Sequence, residues 1–264
     1  MNTLTDTWYQ LIRHLKTQYR MKVFIIVNII QPMIWLLLFT QVFNRLEDMP
    51  QIKEIGDITY LQFFAPGVVV MTVIFGTAFS GFAMLRDMDM GILTKILATP
   101  ASRMSVVLSR MLSSIVVLLF QAVIIFLAAI YLVDLYTEGL KIETGAPGVL
   151  ASLGFVILLG LGYAGLSNGL ALLLGRVETL MAVTNFIALP TVFLSSAFMP
   201  GEALPNWLDT VRQFNPVDYA VVAVRGLVLE GYIWSDLWRS LVVLVAWAMA
   251  GLTFGTLMFK KHAE

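Results

Sequence analysis

YLQFFAPGVVVMTVIFGTAFSGFAML, residues 60–85, contains no Asp, Glu, Lys, Arg or His. A helix rises about 1.5 Å per residue, so about 20 apolar residues cross the roughly 30 Å hydrocarbon core of a bilayer. This run meets that length with room to tilt. Working outward, the same reading applies to Val23–Phe43, which is uncharged, and to Val149–Gly175, Leu180–Met199 and Leu241–Phe259. Val106–Val133 carries only Arg110, near its start, where a long side chain is expected to snorkel to the interface. Arg176 and Glu178 leave room for a tight turn between the fourth and fifth runs.

Six such runs predict an all-α polytopic membrane protein with spans at about 23–43, 60–85, 106–133, 149–175, 180–199 and 241–259. Composition agrees. The 264 residues are 59% hydrophobic and only 13% charged, whereas a soluble domain carries roughly 25% charged residues. One soluble core could not hide that much apolar surface. No apolar leader run precedes Val23, so the first span is expected to stay as its own insertion signal.

Basic residues retained on the cytoplasmic side set the direction. Arg13, Lys16, Arg20 and Lys22 precede the first span. Arg86, Lys95 and Arg103 follow the second, and Lys260 and Lys261 follow the sixth. Arg45–Thr59 and Asp134–Ala146 are mainly acidic, so both termini are expected inside.

Three segments are more than plain spans or turns. Residues 1–22 include Leu4, Trp8, Leu11, Ile12 and Leu15 at helical spacing, which reads as an amphipathic helix in the inner interface or as a short surface helix. In residues 86–105, Asp89 can cap a helix whose stripe is Ile92, Leu93, Ile96 and Leu97, and Thr99-Pro100 ends it. That helix could lie on the membrane or dock into a cytosolic partner. Residues 200–239 carry Leu204, Trp207, Leu208, Val211 and Phe214 as one stripe. Pro216 then opens a second stretch whose charges are Asp218 and Arg225. Two short helices dipping into the outer leaflet fit this pattern, with irregular backbone shielded by protein.

Several chemistries are excluded. Net charge is +0, with no basic cluster for nucleic acid. Cysteine is absent, which removes disulfides and thiolate metal sites. There is no phosphate-binding G-x-x-x-x-G-K-[ST] loop and no H-E-x-x-H. His14 and His262 sit in polar ends and read as solvated. The spans offer neutral polar groups such as Gln121, Asn168 and Asn185 in place of carboxylates, which disfavours an ion-driven carrier. Gly160, Gly165 and Gly169 read as close helix contacts.

LRDMDMGILTKILATPASR, Leu85–Arg103, resembles the loop of type-2 ABC exporter permeases, an acidic, Gly-containing helix followed by T-P-x-S-R. PTVFLSSAFMP from Pro190, LPNWL from Leu204, FNPVDYA from Phe214 and RGLVLEG from Arg225 resemble that family's fifth span and outer hairpin. The nearest flavour is the daunorubicin-resistance and nodulation-factor branch. The resemblance implies a dimer of permeases, like or similar, in a bacterial plasma membrane, with separate cytosolic ATPase subunits that bind ATP and Mg. It implies no cofactor in this chain and no enzyme activity of its own. It makes the 86–105 element a coupling helix, with Asp87, Asp89, Gly91, Ile92, Leu93, Ile96 and Leu97 toward the ATPase. The hairpin residues Trp207, Phe214, Asn215, Pro216 and Asp218 are assigned to the pathway. Asp87 and Asp89 stand where the family commonly has Glu, and Lys95 replaces a common acid, which bears on which ATPase is accepted.

The leading expectation is export of a hydrophobic or amphipathic molecule, a drug or lipid-like compound. A polysaccharide or lipid-linked glycan is the alternative, for which Phe63, Phe64, Phe75, Phe79 and Phe82 would supply an aromatic path. A passive channel or an assembly factor without ATPase is the reading from another class.

Overall fold

The computed structural model describes residues 3–20, 22–43, 60–97, 103–136, 142–199 and 204–262. Helix is the only regular element among them, as lipid demands when every backbone N–H and C=O must be satisfied within its own segment. In chain order these are α1 (Thr3–Arg20), α2 (Lys22–Phe43), α3 (Tyr60–Ala78), α4 (Gly81–Asp89), α5 (Ile92–Leu97), α6 (Arg103–Tyr136), α7 (Gly145–Leu174), α8 (Val177–Phe193), α9 (Asn206–Arg212), α10 (Pro216–Arg225), a π-turn (Gly226–Glu230) and α11 (Trp234–His262). The mainly acidic segment 45–59, the Thr99-Pro100 stop and Glu202 lie outside the described residues.

Four stretches are long and apolar enough to cross a membrane: Tyr60–Asp89, Leu108–Ile130, Gly145–Leu174 and Trp234–Lys261. Ile29–Val42 and Val177–Phe193 are apolar but shorter. The molecule is therefore an all-α polytopic membrane protein, with four full-length helices and two shorter apolar ones among the described residues. The fifth run was expected to reach Met199, but its helix stops at Phe193. At that end the Thr191 and Leu194 carbonyls accept hydrogen bonds from Asn215 Nδ2 at 2.6 and 2.9 Å, which supplies the partners a helix end lacks.

The core forms around α3. Tyr60, Phe63 and Phe64 are fully buried and meet Phe39 of α2 and Phe198 after α8, with ring centroids 5.4 Å apart for Phe39–Phe64 and 5.7 Å for Phe64–Phe198. Two members of the proposed aromatic path thus fill the interior of a single chain. Outside, Ile34, Leu38, Phe186, Phe193, Val242 and Met249 are exposed. An apolar surface on that scale requires lipid or another protein.

Helices α7 and α11 share the longest seam. A Cβ on Gly165 would overlap the Gly251 carbonyl oxygen, and one on Gly169 would meet the Phe254 ring at 2.5 Å. The expected close contact of Gly165 and Gly169 is thus confirmed, as small-residue packing between membrane helices requires. At the α7–α8 junction Gly175 takes φ +64, its N–H donates to Ala171 O at 3.0 Å, and α8 begins at Val177.

Helix α1 is turned inside out relative to a soluble helix. Asp6, Thr7, Leu11 and His14 are buried, while Leu4, Trp8, Tyr9 and Tyr19 are exposed. Apolar and aromatic side chains facing outward suit a helix lying in a bilayer interface.

Candidate functional site

The second apolar run breaks once. Between α3 and α4, Ser80 Oγ donates to Ala164 O at 3.4 Å and Gly81 N donates to Ser167 Oγ at 3.0 Å. Asn168 Nδ2 donates to Ser80 Oγ at 3.2 Å, so α7 holds the break through polar groups. Past it, α4 runs to Asp89, which is therefore the end of that helix rather than the cap of the next. The cause is the turn that follows: Met90 N donates to Arg86 O at 3.0 Å and Gly91 N to Met88 O at 2.9 Å. Gly91 stands at φ +64, where a side chain is strained, and nothing lies within 4 Å of a Cβ placed there. Within this chain its role is the left-handed turn rather than close approach. Its carbonyl accepts from Lys95 N at 3.2 Å and opens α5.

The expected docking stripe divides at this elbow. Ile96 packs against the chain's own core of Met84, Leu85 and Phe259, and Ile92 lines an internal cavity. Leu93 and Leu97 belong to the helix, but their side chains lie outside the described residues. Among the elbow's described side chains, Asp89, Met90 and Lys95 are exposed.

Asp87 points inward. Its Oδ2 accepts from Arg110 of α6 and, at 3.0 Å, from Arg13 of α1, so one carboxylate joins three elements. Arg110 does not snorkel: its side chain is 4% exposed. The pairing explains why, because a buried guanidinium needs a carboxylate partner to offset its desolvation. Arg13 and Arg110 are the site residues missed at the sequence level. The signal for Arg110 was a lone charge in an apolar run.

His14, read as solvated, is buried beside this cluster. Burial, then the Arg110 and Arg13 charges, lower its imidazole pKa to about 3 from the ordinary 6.5. The fold thus favours the neutral ring. This contribution is complete above pH 6.5 and declines as pH falls from 6.5 toward 3, where the unfolded chain binds a proton the folded chain refuses. Thermal unfolding in detergent is expected to lose stability between pH 6.5 and 4, with His14→Gln losing less over the same interval. Equal losses for both proteins would contradict the assignment.

At the opposite side, α9 and α10 form the hairpin. Asn215 caps α10, accepting from Val217 N at 3.0 Å with Pro216 at the first position. Asp218 accepts from Ser196 N at 2.7 Å and from Arg212 at 3.1 Å. Arg225 donates to Ser196 O at 2.9 Å and lies 3.7 Å from the Phe63 ring centroid. The two charges of α10 thus bracket the backbone of one residue, Ser196, satisfying irregular backbone after α8 as membrane depth requires. Asn215, Pro216 and Asp218 are brought together as this clamp. Trp207 and Phe214 are not: they stand 63% and 84% exposed. Among the described residues no group of three or more His, Asp or Glu converges where a metal ion could sit.

Four long apolar helices, an outward-facing amphipathic α1, a charged elbow and a clamped hairpin define a multi-pass membrane protein. The chain matches the ABC-2 type transporter family over residues 5–229 and belongs to that family. It is an ABC transporter permease. It is 29% identical over 255 residues to a protein of Cyanophora paradoxa named as the transport permease ycf38, covering 92% of this chain and 83% of that one. It is 24% identical to the daunorubicin resistance ABC transporter permease protein DrrB1 of Streptomyces coeruleorubidus, over 85% and 74% of the two chains. It is 26% identical to ABC transporter G family member 20 of Dictyostelium discoideum over 71% of this chain and 25% of the relative.

Proposed function

We propose that this chain, as a dimer with a second permease copy, forms the translocation pathway of an ATP-driven exporter for hydrophobic or amphipathic molecules. Separate cytosolic ATPase subunits bind ATP and Mg and dock on the α4–α5 elbow. In this reading six segments, α2 and α8 included, cross the membrane, with both termini and the elbow on the cytoplasmic side; the basic residues flanking them support that direction.

The observation that carries this reading is the construction of the elbow. Its outer side presents Asp89, Met90 and Lys95 to solvent, and its inner side is fastened through Asp87 to α1 and α6. A push on the outer side reaches two further helices through one buried carboxylate. The daunorubicin relative supports a drug-like or lipid-like cargo. The burial of Phe63 and Phe64 argues against an aromatic glycan path along α3.

The test is co-purification from membranes. An ABC ATPase is expected to accompany the wild-type chain and to be reduced at least about tenfold with Met90→Asp, since burying one large apolar side chain at an interface is worth about 1.5–3 kcal/mol. Asp89→Lys should weaken the complex as well. Unchanged ATPase recovery with both variants would remove the elbow from the docking surface.

A further inference from the structure

A cavity of about 450 Å³ lies between α1, the α3–α4 segment and α6, behind the elbow residues Met90 and Ile92. That volume is within the range of small-molecule sites, roughly 300–1,000 Å³. Its wall is mixed. Phe79 and Phe82, with ring centroids 5.3 Å apart, join Val117 and Leu118 in the apolar part. Thr17, Gln18, Ser80, Ser113, Ser114 and Gln121 supply hydroxyl and amide groups. The guanidinium groups in the wall are engaged: Arg13 and Arg110 meet Asp87, and Arg86 is partnered as well. What the wall offers a ligand is therefore hydrogen bonding beside apolar surface.

Three wall residues carry polar atoms that the protein leaves unmet. His14 Nε2, Gln18 Oε1 and both Nε and Nη1 of Arg110 have no hydrogen-bond partner in the protein. The Arg110 side chain is only 4% exposed, and a buried polar group left unmet costs stability. The set is two-sided, because Arg110 offers only donors and the Gln18 oxygen only accepts. A carboxylate head would serve Arg110 and bring Gln18 no proton, and a quaternary ammonium head would serve neither. A hydroxyl donates and accepts at once, so several hydroxyls on one head answer both sides. Position adds the second half of the ligand. Helix α1, whose exposed Trp8 and Tyr9 suit the headgroup zone, forms one wall, so the cavity lies where lipid heads and tails meet.

We propose that this cavity binds an amphiphile with an uncharged, hydroxyl-rich head, of the glycerol or sugar type. The head's hydroxyls bond to Gln18, Gln121 and Arg110, and the apolar body lies against Phe79 and Phe82. The occupant is either a lipid of the surrounding leaflet or a cargo with the same head; the recognition chemistry is shared. The cargo case rests on the transport reading above, whereas binding itself is measured without ATP or ATPase.

The experiment titrates the full purified chain, in a polyoxyethylene detergent, with dodecyl glucoside and reads occupancy by native mass spectrometry. Dodecyl phosphate and dodecyltrimethylammonium carry the same tail and serve as comparison probes. One dodecyl glucoside per chain is expected, at least about tenfold tighter than either comparison, the scale of one to two net hydrogen bonds. Ala83→Trp, which fills the cavity, should abolish binding. Gln121→Leu keeps the side chain's size and removes its amide, so it reads the site whether or not tryptophan disturbs the fold. It should weaken binding about fivefold, the scale of one net hydrogen bond. In proteoliposomes, ATP-driven movement of a short-chain fluorescent glucosyl lipid between leaflets identifies the occupant as cargo. Retention at the site without movement identifies a resident lipid; both results require the site. Equal or tighter binding of dodecyl phosphate or of the trimethylammonium probe would overturn the proposal. So would dodecyl glucoside binding left unchanged by either variant, whatever the outcome of ATPase co-purification.

Discussion

Asp87→Ala is expected to lower the unfolding free energy of the solubilised permease by about 3–5 kcal/mol, the usual cost of leaving one member of a buried ion pair alone. The size follows from where the charges lie. Arg110 is 4% exposed and its Nη2 contact with Asp87 is the one that balances it. Removing the carboxylate leaves the Arg110 guanidinium buried without the partner that balances it. Arg13 is 36% exposed, so Arg13→Ala should cost only about 0–1 kcal/mol, as solvent-screened pairs do. Replacing both buried partners, Asp87→Leu with Arg110→Met, should recover much of the loss, because an apolar pair of similar volume carries no desolvation penalty. Denaturation in mixed micelles reads all three proteins. A wild-type unfolding curve for Asp87→Ala would show that the cluster does not hold the three elements together.

The second large effect concerns the α7–α11 seam. Gly165→Leu should destabilise by about 3 kcal/mol or more, at or beyond the top of the usual range for overpacking. The atom in the way is the backbone oxygen of Gly251, which cannot rotate aside as a flexible side chain could. The two helices must separate along the contact, opening the neighbouring Gly169–Phe254 approach as well. Gly154→Leu is the control: it lies on the same helix, and nothing stands within 4 Å of its Cβ. It should leave the protein unchanged or slightly stabilised, since leucine favours helix over glycine. Equal effects at the two positions would mean that helix propensity, not the seam, decides.

These two sites differ in how far the sequence disclosed them. Gly165 and Gly169 were legible, because small residues at helical spacing in an apolar run have few uses beyond close packing. The Asn215-Pro216 start of α10 was legible for the same local reason: the cap and the first-turn proline are neighbours in the chain. The Asp87 cluster was not, because its members come from three elements and α4 had to be extended to Asp89 before Asp87 turned inward. His14 was misread by a rule suited to water. In a soluble protein the polar face of an amphipathic helix turns outward; in α1 the apolar face does, and the polar residues pack against α6. In α5 the ordinary arrangement holds instead: Ile92 and Ile96 pack into the protein, and the charged turn at its start is exposed. Asp218 and Arg225 were visible as the only charges of their stretch, but their shared partner, the backbone of Ser196, lies beyond the reach of local pattern.

The account stands on one claim, that an ATPase bound at the elbow drives movement through this permease. The direct measurement is transport in proteoliposomes containing the chain and the ABC ATPase that co-purifies with it, using daunorubicin and a short-chain fluorescent phospholipid as probes. The account predicts movement of at least one probe only with ATP and Mg, abolished by an inactive ATPase and reduced by Met90→Asp in step with lost docking. Probe movement that proceeds equally without ATP, or that is unaffected when no ATPase is present, would contradict it and identify a passive pathway.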